Sequence, residues 1–356
     1  MKEKFLNYIF LTILLFACST ENEKNTSFNK YEWKSSNFSE QNIDSTQIKS
    51  AFNEASKLDY IYSMLVIRNG DIVAEKYFNG KSKDSYYKIR SVSKSFLSAG
   101  LGIAINNGVL LKDEKLLSIL PEFKTKINDS RYSDVKIDHL IKMRAGLQGD
   151  RDIYSTVFNS SDWLSAIFNL PLISDPGTRY KYSTPSTHLL SAALSKSSDK
   201  TSLEFLTELL TSKMGIEIND WEQDPQGIYF GGNNMYFTTR NMAVLGLLYL
   251  NNGMLNGKQI VPKTWVEESL LDYTNGLGNW GVLENIGYGY LWWTGTIKNY
   301  QIFTAIGHGG QFVLCVPDLN LIVATNAYSN IWWEEANEQE LAILNIIGNY
   351  IIPAVN

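Results

Sequence analysis

The chain has 356 residues, 44% apolar and 13% aromatic, enough to bury a large core in one domain or two intimate subdomains. Its net charge of -5 and pI near 5.4, with no dense Lys/Arg block, exclude the electrostatic footprint of a nucleic-acid binder. At the N-terminus, Lys2 and Lys4 precede an apolar run from Ile9 to Phe16 that is too short to span a bilayer, so residues 1–17 read as an export signal.

Leu15-Phe16-Ala17-Cys18 resembles the lipobox of bacterial lipoproteins, which implies that Cys18 is the lipid-attachment residue and that the mature protein is anchored to a membrane of the cell envelope. The alternative is an ordinary signal peptide with an incidental cysteine. Residues 18–47, rich in Ser, Asn, Glu and Lys, read as a tether, and 48–356 as the folded domain. Cys315 lies in the apolar run Phe312 to Val316 and reads as a small buried hydrophobe without a disulfide partner.

Along that domain, Tyr62 to Ile67 and Ile72 to Phe78 are strand-like, and Asn69-Gly70 between them is a tight hairpin signal. From Ser91 the apolar spacing becomes helical through Val92, Phe96, Ala99 and Ile103, and Gly108 suits the helix end. Helical candidates follow at 137–143, 187–194, 203–210 and 241–250, the last capped by Thr238-Thr239. Strand character returns in 289–294, 302–306, 311–316 and 321–325, and 335–352 reads as a terminal helix. Strands at both ends with helices between imply an α+β fold, an α/β sandwich in which one antiparallel sheet is built from both chain ends. Helices flank the sheet, an all-helical subdomain is inserted, and a cleft lies where the two parts meet. The segments 150–161 and 274–286 read as loops that shape it.

Ser-x-x-Lys occurs five times, at Ser27/Lys30, Ser85/Lys88, Ser91/Lys94, Ser133/Lys136 and Ser197/Lys200. Only Ser91/Lys94 follows a strand-and-loop entry and opens a long apolar helix. Residues i and i+3 at a helix start share a face, and the helix N-terminus favours an alkoxide or oxyanion there. In that context Tyr87-Lys88-Ile89-Arg90-Ser91-Val92-Ser93-Lys94 resembles the nucleophile segment of the serine β-lactamase and penicillin-binding-protein-like family. The branch it resembles is the class C β-lactamase-related one, with esterases, D-peptidases and 6-aminohexanoate-oligomer hydrolases.

Further segments are similar to that family's in the same order: His139 to Leu147, Pro176-Gly177-Thr178 to Tyr182-Ser183-Thr184, Leu247 to Gly253 with Asn256-Gly257-Lys258, Gly287 to Trp293, and Gly307-His308-Gly309-Gly310-Gln311. The resemblance implies a β-lactamase/transpeptidase-like fold and a serine hydrolase working through an acyl-enzyme on an ester or amide. Ser91 is then the nucleophile, and Lys94 and Tyr182 shuttle its proton. The backbone amides of Ser91 and Gln311 form the oxyanion hole, and Thr184, His308, Gly309 and Gly310 contact substrate. For Tyr182 to act as a base near pH 7, its pKa must fall by roughly 3 units, about 4 kcal/mol, which an adjacent Lys94 ammonium would supply in large part.

Two departures from the family pattern bear on substrate. Thr184 stands where an Asn is usual, and His308-Gly309-Gly310 replaces the Lys-Thr-Gly that helps antibiotic-hydrolysing members hold a carboxylate. A β-lactamase or D-alanyl-D-alanine carboxypeptidase is the nearest alternative, and a non-catalytic surface binder with the same fold is the alternative of another class. His139 and His188 read as structural. No cluster has metal-ligand spacing, so neither a metal nor another cofactor is expected, and the partners expected are a small-molecule or peptide-like substrate and the membrane.

Overall fold

The hairpin around Asn69-Gly70 forms from Ile61–Arg68 (β1) and Asp71–Tyr77 (β2). Both turn residues take positive φ, 52° and 86°, the backbone that a two-residue hairpin turn requires. The computed structural model describes residues 29–355, so the expected export signal and Cys18 lie outside the described residues. Five further strands complete one sheet: Leu283–Tyr288 (β3), Trp293–Ile297 (β4), Tyr300–Gly307 (β5), Gln311–Val316 (β6) and Leu321–Ala327 (β7). Their order is β2-β1-β7-β6-β5-β4-β3, every pair antiparallel. The first hairpin therefore docks on the last strand, with Met64 opposite Thr325 and Val66 opposite Val323.

Two-residue periodicity sorts the side chains of this sheet onto two buried faces. Met64, Val66, Phe312, Leu314, Leu321 and Val323 belong to one core, and Leu65, Ile67, Val313, Cys315, Ile322 and Ala324 to the other. The principal helices are Ser45–Ala55 (α1), Ser93–Asn106 (α2), Thr184–Ser198 (α3), Thr239–Leu250 (α4) and Trp333–Ile346 (α5). Helices α1 and α5 cover the first face through Ile48, Ala51, Ile343 and Leu344. Helices α2 and α4, with the helical insert behind them, cover the second. Helix α4 lies close on the sheet because Gly246 has no side chain: a Cβ there would stand 2.8 Å from Val313 Cγ1 and 3.0 Å from Cys315 Sγ. Cys315 is fully buried, and burial pushes its thiol well above the ordinary value.

Three expectations change. The tether is shorter than expected, since the fold already includes the chain from Tyr31. Its amide bonds the Gly215 carbonyl at 2.7 Å, Trp33 Nε1 donates to Arg240 O at 3.0 Å, and α1 starts at Ser45. The scattered aromatics are what tie it down. Within 289–294, residues 289–292 are a junction between β3 and β4, with Leu291 at φ 62°, and Trp293 and Thr294 open β4. The junction's aromatic residues favour strands by propensity, but Tyr290 packs on Trp265 and Tyr273, and Trp292 on Tyr249, which pulls the chain out of the sheet. Finally, 150–161 is mostly a helix, Asp150–Phe158, held by buried Ile153 and Val157 at i and i+4.

Candidate active site

Ser91 sits in the turn Arg90–Val92 that leads into α2. Arg90 adopts φ 50°, uncommon for a residue with a side chain. Its guanidinium holds the turn by donating to Ser329 Oγ at 3.0 Å and Ser329 O at 2.6 Å. Strand β5 presses on the same turn: a Cβ on Gly307 would stand 2.4 Å from the Ile89 carbonyl.

At the second position of α2, which is buried from Ser93 to Ala104, Lys94 is drawn into the interior and is 1% exposed. Its Nζ lies 3.0 Å from Ser91 Oγ, 2.9 Å from Thr184 Oγ1 and 2.7 Å from the Gly232 carbonyl. Burial lowers its pKa to about 8 against an opposing pull from the charge of Asp150.

Tyr182 enters the site just before α3, whose first turn contains Pro185. Its ring stacks on Trp293 at 5.6 Å and meets Tyr288 edge-on at 5.8 Å. The structure gives this tyrosine a different character from the expected base. Burial, reinforced by the charge of Asp150, pushes its phenol well above the ordinary value, and a hydrogen bond with Ser91 opposes the rise. Lys94 Nζ lies over the ring face, 4.9 Å from its centroid, so Lys94 is a cation–π neighbour of Tyr182.

Thr184, expected to contact substrate, lines the cleft but is 1% exposed, with its amide and hydroxyl both bonded within the protein. Its amide donates to Asp150 Oδ1 at 2.5 Å and its hydroxyl to Oδ2 at 2.6 Å. Asp150 is 8% exposed; burial raises its pKa, and Lys94 and the Thr184 hydrogen bonds restrain the rise.

The turn after β5 is likewise specific. His308 Nε2 bonds the Ile331 carbonyl at 2.9 Å, its ring meets Trp333 edge-on at 4.9 Å, and burial lowers its pKa, so it is neutral at pH 7. Gly309 and Gly310 have φ of 86° and 108°. The Gly309 amide is given to Glu340 Oε1 at 2.7 Å and the Gly310 amide to the Gly307 carbonyl at 3.2 Å. Gln311 is fully buried and pairs with Gly307 across the β5–β6 hairpin. Its side chain bonds the His308 and Ala327 carbonyls and the Ala327 amide.

A cleft of about 650 Å³ opens over Ser91, lined among others by Tyr182, Trp293, Ile306, His308, Trp333 and Glu340. Gln311 is not among the lining residues, because the glycine turn carries the chain to the next strand, one further from the nucleophile. Burial raises the Glu340 carboxyl to about 7. Trp332, 77% exposed, and Trp333 form an aromatic lip. His139 caps the helix Ile137–Ile141, and His188 pairs with buried Asp224 at 3.0 Å, so both have structural partners. Among the described residues no group of three or more His, Cys, Asp or Glu side chains is arranged to hold a metal ion.

The sequence reasoning did not single out Asp150, Gly232, Glu340 or the lip. Asp150 opens the helix Asp150–Phe158 and reaches the site only through the tertiary fold; its one signal in the sequence is an acidic residue three positions after the family-like His139 to Leu147 segment.

The beta-lactamase family profile matches residues 62–346. The 6-aminohexanoate-dimer hydrolase of Paenarthrobacter ureafaciens is 23% identical over 225 residues, 58% of this chain and 56% of that protein. Among solved structures, a candidate 6-aminohexanoate-dimer hydrolase from Bacillus anthracis superimposes with a TM-score of 0.73 at 18% identity, covering 91% of this chain and 87% of the other. A D-stereospecific amidohydrolase from Streptomyces sp. gives 0.65 at 14% identity, with 85% and 98% covered. With the matched segment spanning β1 to the end of α5, the chain belongs to the beta-lactamase family of hydrolases.

Proposed function

We propose that the protein is a serine hydrolase that cleaves an amide or ester through an acyl-Ser91 intermediate. The observation that carries this reading is the buried Lys94 amine 3.0 Å from Ser91 Oγ, with its pKa lowered to about 8. In the neutral form Lys94 takes the Ser91 proton as Oγ attacks the carbonyl carbon. The oxyanion is received by backbone amides of Ser91 and His308. His308 replaces Gln311 in this role because it lines the cleft, and its amide has no acceptor among the described residues. As the tetrahedral intermediate collapses, the neutral Tyr182 phenol protonates the leaving amine or alkoxide, and the phenolate so formed regains a proton from the Lys94 ammonium. Water then adds to the acyl carbon with the same groups in reverse order, freeing the acid and Ser91.

The aromatic wall of Tyr182 and Trp293 and the lip of Trp332 and Trp333 favour a substrate with apolar flanks. Neutral His308 supplies no fixed charge for a carboxylate, which favours linear amides and esters over β-lactams. The hydrolase names of the relatives agree with this chemistry. A fluorophosphonate probe with peptide mapping of the adduct tests it: labelling at Ser91, lost in Ser91→Ala, is expected, and labelling absent or elsewhere overturns it. We further infer from the Lys2 to Cys18 pattern that the enzyme is exported and lipid-anchored.

A further inference from the structure

Hydrogen-bond direction around Lys94 is fixed by groups that can act in only one way. A carboxylate is acceptor-only. Asp150 therefore consumes both Thr184 donors, the amide at 2.5 Å and the hydroxyl at 2.6 Å. Thr184 Oγ1 keeps only lone pairs for Lys94 Nζ at 2.9 Å, and the Gly232 carbonyl at 2.7 Å is acceptor-only as well. A neutral amine has two N–H groups, and both are committed. What remains is its lone pair, and the third neighbour is Ser91 Oγ at 3.0 Å.

We propose that Asp150 is a positioning residue that, acting through Thr184, sets the hydrogen-bond polarity around Lys94 so that the amine's lone pair faces the Ser91 hydroxyl. Asp150, 8% exposed in the cleft wall, does this through its two bonds to Thr184. The role rests on the reading of Ser91 as the acylated residue. Other charged and titratable groups surround this chain. Lys181 acts on Asp150, Tyr154 lies on the Asp150 helix with its hydroxyl bonded by Asn233, and Tyr182 is acted on by Glu340. Only Asp150 among them exerts its charge on Lys94, holding the proton on.

Asp150→Asn and two Thr184 variants test the role. The amide oxygen of the new side chain still accepts the Thr184 N–H, but its NH2 donates to Thr184 Oγ1. The Thr184 hydroxyl is then released to donate to Lys94 and captures the lone pair. The plateau of kcat/KM for an aryl ester is expected to fall on the order of ten- to a hundredfold. The ascending limb of its pH profile is expected to move to lower pH, because a negative charge has been removed beside Lys94. Loss of the charge moves the limb in either role, so the Thr184 variants are what separate positioning from support, while an unmoved limb or an unchanged plateau overturns the proposal. Thr184→Ser keeps the hydroxyl and should lose far less kcat/KM than Thr184→Val, and equal losses overturn it; this comparison also decides if Asp150→Asn lacks a cooperative thermal transition. Phosphonate labelling of wild-type Ser91 is run alongside. Its failure would refute the acyl-enzyme reading itself, whereas labelling with an unmoved limb refutes only the role of Asp150.

Discussion

Raising the pH from 7 to 9 should accelerate acylation of Ser91 by roughly tenfold, because only the neutral Lys94 amine can accept the serine proton. With its pKa near 8, about one tenth of the enzyme carries that amine at pH 7 and about nine tenths at pH 9. Single-turnover release of nitrophenol from a short-chain ester, corrected for spontaneous hydrolysis, reads this step directly. Lys94→Arg, which stays charged throughout, should lose about 10²–10⁴-fold and abolish the limb. A rate that is flat from pH 6.5 to 9, or a limb that survives Lys94→Arg, would refute the assignment of the base. The same residue leaves a signature in stability. Its folded pKa of about 8 lies below the value of 10.5 for a free lysine, so between these values the unfolded chain binds more protons and stability rises with pH. Relative to Lys94→Met, wild type should gain up to roughly 3 kcal/mol across that window in urea denaturation.

Glu340 carries the opposite sign: its raised pKa of about 7 means that stability is lost as pH climbs from the ordinary carboxyl range through 7. Glu340→Gln keeps an acceptor for the Gly309 amide and should raise the stability read by urea denaturation at pH 8 but not at pH 5, by about 1–2 kcal/mol after allowance for partial exposure; equal gains at both pH values would remove burial of the charge as the cause. Arg90→Ala removes both bonds to Ser329 from a turn held at positive φ, and kcat should fall about tenfold or more with a stability loss of about 1–3 kcal/mol, measured by steady-state kinetics and thermal melts. Cys18→Ala should abolish metabolic labelling by a radiolabelled fatty acid and release the protein from the membrane fraction; labelling that persists would exclude Cys18 as the attachment point.

What the sequence reveals of this site follows how far apart its parts lie along the chain. Ser91 and Lys94 are legible because helical geometry alone makes i and i+3 neighbours. Tyr182 is legible through the segment around it. Asp150 reaches Thr184 across 34 residues, and Glu340 reaches Gly309 across 31, so only the tertiary fold brings them in. The direction of the Tyr182 pKa is equally out of reach, because it depends on burial between Trp293 and Tyr288 and on the charge of Asp150. The sheet is largely visible through two-residue alternation, apart from β3, whose Leu283–Tyr288 segment has polar and glycine positions that mask it, and most of β4, Trp293–Ile297.

The pairing of β1 with β7 also dictates when the molecule can assemble. Ile61 finds its partner only at Ala327, so the sheet cannot close until almost the whole chain has been made. Until then β1 offers a free edge, and the pairing must overcome the entropy of closing a very long loop. Folding is therefore expected to be slow and late, with the strand that joins the two ends as its final step and with a long interval in which the chain is open to chaperones.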